Sequence, residues 1–147
     1  MGKFDKYKEF EVEDNRIMTY YGNGGDVVIP EGITDIFFDV FEYNYQITSV
    51  VIPGTITDIA PFAFEHCTSL ERVILHEGVL LLGLFSFQNC PELEGVFLPK
   101  SLTHIDKGVF KDCNQLTIYY AGSKEEWEKI EIEADLSNVP VIFNSTI

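Results

Sequence analysis

The apolar positions of this chain return every 23 residues. Val28-Ile29-Pro30, Val51-Ile52-Pro53 and Phe97-Leu98-Pro99 share one register, and Ile74-Leu75-His76 fills the gap with histidine in the proline slot. Phenylalanine recurs at 41, 64, 87 and 110. Ile33-Thr34-Asp35-Ile36 returns as Ile56-Thr57-Asp58-Ile59, then as Val79-Leu80-Leu81-Leu82 and Leu102-Thr103-His104-Ile105. Ile47, Leu70, Leu93 and Leu116 form another apolar column, and Cys67, Cys90 and Cys113 a further one whose first slot holds Asn44. So many columns do not align by chance.

Each unit is predicted as a short strand, a turn at the proline, a second extended stretch, and a tight helical turn carrying the phenylalanine. In Leu70-Glu71-Arg72-Val73-Ile74-Leu75, the inward set is Leu70, Val73 and Leu75. A single unit cannot bury that set alone. Stacking units at the parallel-strand spacing of about 4.8 Å gives each column a neighbour above and below. The phenylalanines then form an aromatic ladder. The predicted fold is a repeat solenoid of the leucine-rich-repeat type, whose periods run about 20–29 residues.

Both ends carry cap signals. Asp14-Asn15 between two extended runs predicts a hairpin over Phe10–Tyr20, because Asx residues tolerate the positive φ of a tight turn. Ser123-x-x-Glu126 is a capping box opening a helix over Lys124–Ile130, with Trp127 and Ile130 on one face over the last rung. A strand near Val139–Phe143 follows, and residues 1–8 read as a loose tail. One domain is expected over 1–147: tail and N-terminal cap over 1–26, about four 23-residue repeats over 27–121, and a C-terminal cap over 122–147. Closed at both ends, it reads as a complete domain.

The pattern Cys-x-x-Leu-x-x-Val-x-Leu-Pro, then Ile-x-x-Ile, then Ala-Phe-x-x-Cys resembles the BspA-like leucine-rich repeat family. It is clearest from Ile47 to Cys67 and from Cys90 to Cys113. Gly24-Gly25-Asp26-Val27-Val28-Ile29-Pro30 is similar to the family's lead-in, and Ile118-Tyr119-Tyr120-Ala121-Gly122 before Trp127 to its C-terminal close. Departures are His76 in a proline slot, and Phe37, Ala60, Gly83 and Asp106 in a column that usually holds glycine. The resemblance implies a non-enzymatic, bacterial binding protein, many members being displayed on cell surfaces.

Charge narrows the partners. Ten basic residues against 24 acidic ones leave the 147-residue chain at −14. A field of that sign repels phosphate backbones and anionic lipid, which argues against nucleic acid and favours a neutral or basic protein partner. No apolar run approaches a membrane span, and Met1-Gly2-Lys3-Phe4 leads into no signal-peptide core, so the chain as written reads as cytoplasmic. Removal of an export signal would instead place it outside the cell.

No motif for catalysis, metal or cofactor stands out. The three cysteines are odd in number and lie one per rung. Parallel Cβ atoms about 4.8 Å apart exceed the roughly 3.5–4.5 Å of a disulfide, and zinc ligand pairs sit two to four residues apart. Buried small side chains are expected there. His66, His76 and His104 read as surface residues, with His76 replacing the turn proline. Gly22-Asn23-Gly24-Gly25 precedes a strand and is followed by no Lys-Ser/Thr, so it reads as a turn and not a phosphate loop. The acidic runs Glu9–Asp14 and Glu125–Asp135 lack the alternation of a calcium loop. An enzyme would need two titratable groups within hydrogen-bond reach in a concavity, and a cap–solenoid junction is where to look.

Two outward surfaces remain. The strand residue between two inward ones reads Val28, Val51, Ile74, Phe97 and Tyr120 by the period, flanked by Asp26, Ser49, Arg72, Gly95 and Ile118. Contiguous exposed apolar surface marks a binding face. The third unit also leaves Leu80, Leu81, Leu84 and Phe85 outward where sister units place mostly polar residues, with Phe62 and Phe38 in the same columns as Phe85 and Leu84. That patch predicts self-association, a homo-oligomer, or a partner contact. The expected function is protein–protein interaction. The alternatives are carbohydrate binding through Phe97, Tyr120, Tyr43 and Tyr45, and a structural homodimer.

Overall fold

The computed structural model describes residues 7–147. Along the chain run β1 (Phe10–Glu13), β2 (Arg16–Tyr20), β3 (Gly25–Val28), β4 (Asp35–Ile36), β5 (Ile47–Ile52), β6 (Asp58–Ile59) and β7 (Arg72–Leu75). Then come β8 (Leu81–Leu82), β9 (Gly95–Leu98), β10 (His104–Ile105), β11 (Thr117–Tyr120), the one-turn helix α1 (Lys124–Trp127), β12 (Glu131–Ile132) and β13 (Val141–Ile142).

Strands form where β-branched and aromatic residues alternate between a buried and an outward side. The first strand of each unit stacks in parallel in the order β13-β11-β9-β7-β5-β3, and the second in the order β12-β10-β8-β6. The proline after the first strand turns the chain, because it has no N–H to continue the ladder. Where His76 replaces it, the recovered N–H donates to the Ile52 carbonyl of the preceding rung at 3.0 Å.

The third side of each rung takes the form of consecutive hydrogen-bonded turns instead of a helix. In the second unit Ala63, Glu65 and Cys67 N–H donate three residues back, while Phe62, Phe64 and His66 N–H donate to Leu84, Ser86 and Gln88 of the next rung. Tyr43, His66, Asn89 and Asp112 sit in one column with φ of 61, 58, 58 and 63°. That left-handed conformation is what turns the chain back toward its next strand.

The core is the predicted set of columns. Phe41, Phe64, Phe87 and Phe110 stack with centroids 5.3, 5.2 and 5.8 Å apart. Phe10 and Tyr20 of the N-terminal hairpin prolong the ladder, Tyr20 lying 5.2 Å from Phe41 and Phe10 5.5 Å from Tyr20. Each such pair is worth about 0.5–1.5 kcal/mol beyond its buried area.

The ends follow the cap signals in outline. Asp14 and Asn15 have φ of 50 and 62° between β1 and β2, and β2 pairs in parallel with β4. The capping box is complete: the Ser123 hydroxyl accepts from Glu126 N–H, and the Glu126 carboxylate accepts from Ser123 N–H. The helix stops at Trp127, short of Ile130. Of the expected tail, residues 1–6 lie outside the described residues, while Tyr7 packs against the core and its carbonyl accepts from Phe10 N–H. β12 and β13 add to the two sheets, so stacking runs on into the segment expected as a C-terminal cap, and the first sheet has six strands. No helix among the described residues is long and apolar enough to cross a membrane.

Candidate functional site

The parallel register decides which side chains face out. Val28 pairs with Val51, Val51 with Ile74, and Ile74 with Phe97, as the period requires. Phe97, however, pairs with Tyr119, and Leu98 with Tyr120. Tyr120 is only 1% exposed, so the expectation that it faces outward is corrected: Tyr119 is the outward residue. Ile118 is likewise buried, and Thr117 takes the flanking position beside Gly95. The cause is a repeat one residue shorter. Leu93-x-x-Val96 becomes Leu116-x-Ile118, and everything after it shifts by one. The signal was legible as a large apolar residue, Ile118, standing in an otherwise polar or small column.

The corrected stripe is Val28, Val51, Ile74, Phe97 and Tyr119, and it continues to Ile142, the partner of Tyr119 on β13. Val28 is 63% and Ile142 48% exposed at the two ends, and the residues between them are half-buried. The Phe97 and Tyr119 rings stack at 4.7 Å and 12°. The Arg72 guanidinium lies 5.0 Å over the Phe97 ring. Beside them runs a shallow depression of about 560 Å3 bordered by Asp26, Ser49, Glu71, Arg72, Glu94 and Tyr119. Asp26 accepts from the Ser49 hydroxyl at 2.6 Å. The face therefore has an apolar spine, an aromatic step and a mixed but mainly acidic border.

The second patch lies on the second sheet and the turns that follow it. Leu80 and Leu84 are each 40% exposed and Phe38 59%. Phe62 is exposed, and Leu81 and Phe85 are half-buried. Phe62 and Phe85 stack at 5.4 Å, both with left-handed backbone, and the column ends at Gly108, where φ is 70° and a Cβ would run into the Phe85 ring. Leu81 lies on β8 between Asp58 and His104.

The cysteines are free and buried, one per rung. The thiols of Cys67, Cys90 and Cys113 donate to the carbonyls of Phe41, Phe64 and Phe87. Burial pushes the Cys67 thiol up to about 12, so it stays protonated and unreactive at neutral pH. His66 stacks on Tyr43 at 4.6 Å and accepts from the Asn89 amide at 3.1 Å. Tyr43 and Tyr45 are both exposed.

His104 departs from the expectation of an isolated surface histidine. Its Nε2 lies 2.7 Å from Asp106 Oδ1 and 3.7 Å from Glu133 Oε1, and its Nδ1 lies 3.1 Å from Glu131 Oε2. Sequence spacing alone missed this set, because Glu131 and Glu133 come from the next rung, 27 residues on from His104 and Asp106. Glu133 also borders a cavity of about 650 Å3 lined by Phe85, Phe110, Lys111, Leu116 and Val139. Of the four clustered groups only Glu133 borders this cavity, and His104, Asp106 and Glu131 lie outside its lining.

Three solved structures are similar to this chain. A leucine rich cell surface protein from Faecalibacterium prausnitzii matches at a TM-score of 0.52 and 24% identity, over 91% of this chain and 48% of that one. A leucine-rich repeat protein from Eubacterium ventriosum matches at 0.62 and 17%, over 75% and 39%. The leucine-rich repeat protein of T. pallidum matches at 0.54 and 24%, over 76% and 69%. The chain thus spans half or less of the first two, and at these identities the likeness shows the fold alone. No curated protein matches the chain. The family model described as the BspA type leucine rich repeat region matches residues 19–136 in six copies. The chain therefore belongs to the BspA-type leucine-rich repeat family.

Proposed function

We propose that this chain is a non-enzymatic protein-interaction module that binds through the outward stripe Val28, Val51, Ile74, Phe97, Tyr119 and Ile142. One observation carries the reading: six consecutive rungs place an apolar side chain at the same outward slot. Core packing does not require this, since the inward residues of each strand already fill the interior. Solenoids offer this kind of rigid, extended surface for recognition. Phe97 and Tyr119, with Arg72 over the ring, are the residue types that dominate interface energies. Asp26, Glu71 and Glu94 along the border and the net charge of −14 select a neutral or basic partner.

Pull-down from native lysate with wild type and a Val51→Lys/Phe97→Lys variant tests the reading. A band held by wild type and lost from a variant with unchanged circular dichroism is expected. A band retained by the variant moves the contact to another surface.

The second reading is contact between two copies through Leu80, Leu81, Leu84 and Phe85. It is favoured by the exposure of Leu80 and Leu84 where the neighbouring rungs carry Thr57, Pro61, Thr103 and Lys107.

A further inference from the structure

We propose that His104, Asp106 and Glu133 form a binding site for a divalent first-row metal ion of the zinc class, with Glu131 orienting the imidazole. The site lies apart from the outward stripe and adjoins the self-contact patch, His104 pairing with Leu81 across β10 and β8.

The backbone places the donors. β10 and β12 lie side by side in parallel, His104 opposite Glu131, and the Glu131 and Glu133 N–H groups donate to the Thr103 and Ile105 carbonyls at 3.0 and 2.8 Å. Residues two apart on an extended segment share a face, so His104 and Asp106 from one rung meet Glu131 and Glu133 from the next. One nitrogen and two carboxylate oxygens, from His104, Asp106 and Glu133, lie within 4.8 Å of one another. Tetrahedral zinc with ligands at about 2.0–2.2 Å needs donors roughly 3.3 Å apart. The observed 2.7 and 3.7 Å from the ring nitrogen straddle that value, so small rotations of the side chains close the site.

The fourth group acts differently. With Glu131 Oε2 3.1 Å from Nδ1, the Nδ1–H tautomer leaves the Nε2 lone pair for the side of Asp106 and Glu133. That is the carboxylate–histidine–metal arrangement, in which the outer carboxylate sets the tautomer. A mixed nitrogen and oxygen set favours zinc-class ions over calcium or magnesium, which take oxygen alone. Nor does the repeat itself require these residues. The two preceding rungs carry Asp58 with Ala60, and Leu81 with Gly83, in the same positions. One imidazolium would offset only one of three carboxylates, whereas a divalent ion offsets two.

Calorimetric titration of chelator-stripped full-length protein with Zn2+ tests the proposal. One ion per chain is expected, with a rise in unfolding temperature on loading. Glu131→Gln is expected to weaken binding about 10–100-fold, as loss of an outer-shell partner does. His104→Ala and Asp106→Asn should abolish binding while leaving the metal-free circular dichroism unchanged. His104→Gln serves if the alanine variant is unstable. No heat in wild type overturns the proposal. Wild-type affinity in both His104→Gln and Asp106→Asn overturns it as well, by placing the ion elsewhere.

Discussion

At the level of single residues, buried slots differ in how well they are satisfied. Ser86 is fully buried and its hydroxyl has no hydrogen-bond partner. The same column holds Ala63 and Val109, both buried, so the slot needs bulk and no polar atom. An orphaned buried hydroxyl costs about 1–3 kcal/mol. Ser86→Ala is therefore expected to stabilise the protein by about 1 kcal/mol, a rise of roughly 2–4 °C for a domain of this size. Thermal unfolding checks it, and a fall would reveal a hydrogen bond that Ser86 makes in solution. The cysteines are the opposite case. Each thiol has an acceptor one rung back, which accounts for a polar atom in a column surrounded by apolar ones.

At the level of elements, the shortened fifth unit separates two adjacent tyrosines. Tyr120 points inward, with its ring edge-on to Trp127 at 5.1 Å, while Tyr119 stacks outward on Phe97. Tyr120→Ala removes a buried ring and is expected to cost about 3–5 kcal/mol. Tyr119→Ala leaves the core intact and should cost no more than about 1 kcal/mol. Urea unfolding of the two variants reads the register directly, and the reverse order of costs would restore the uninterrupted 23-residue spacing. The hairpin and α1 serve related ends. Phe10 and Tyr20 prolong the aromatic ladder at one end, and Trp127 packs edge-on against Tyr120 near the other.

For the whole molecule, stacking fixes two separate outward surfaces and leaves the charge around them. The stripe runs along the first sheet, while the Leu80–Phe85 patch lies on the second sheet and the turns after it. If the patch joins two copies, light scattering should give twice the chain mass of 16.7 kDa for wild type and the single mass for Leu80→Asp/Leu84→Asp. A monomeric wild type removes the self-contact reading and leaves the stripe untouched. Because the two surfaces are distinct, the stripe variant should dimerise normally.

The columns are legible in the sequence, because a stacked repeat converts sequence period into spatial neighbourhood. Identical slots at 23-residue intervals lie over one another, so Phe41, Phe64, Phe87 and Phe110, the three cysteines and the Ile/Leu/Val files all took their places from spacing alone. Local chemistry likewise announced the Asp14-Asn15 turn and the Ser123–Glu126 box. Two things escaped that logic. A one-residue deletion reverses inside and outside, since strand side chains alternate with period two, and only the hydrogen-bonded register shows where the deletion is absorbed. His104 and Glu133 meet because the C-terminal segment, which follows β10 at a spacing of 27 residues and not 23, adds its own strand to β10. Contacts made by a strand that departs from the 23-residue spacing have no constant period to betray them, and the tertiary structure alone decides them.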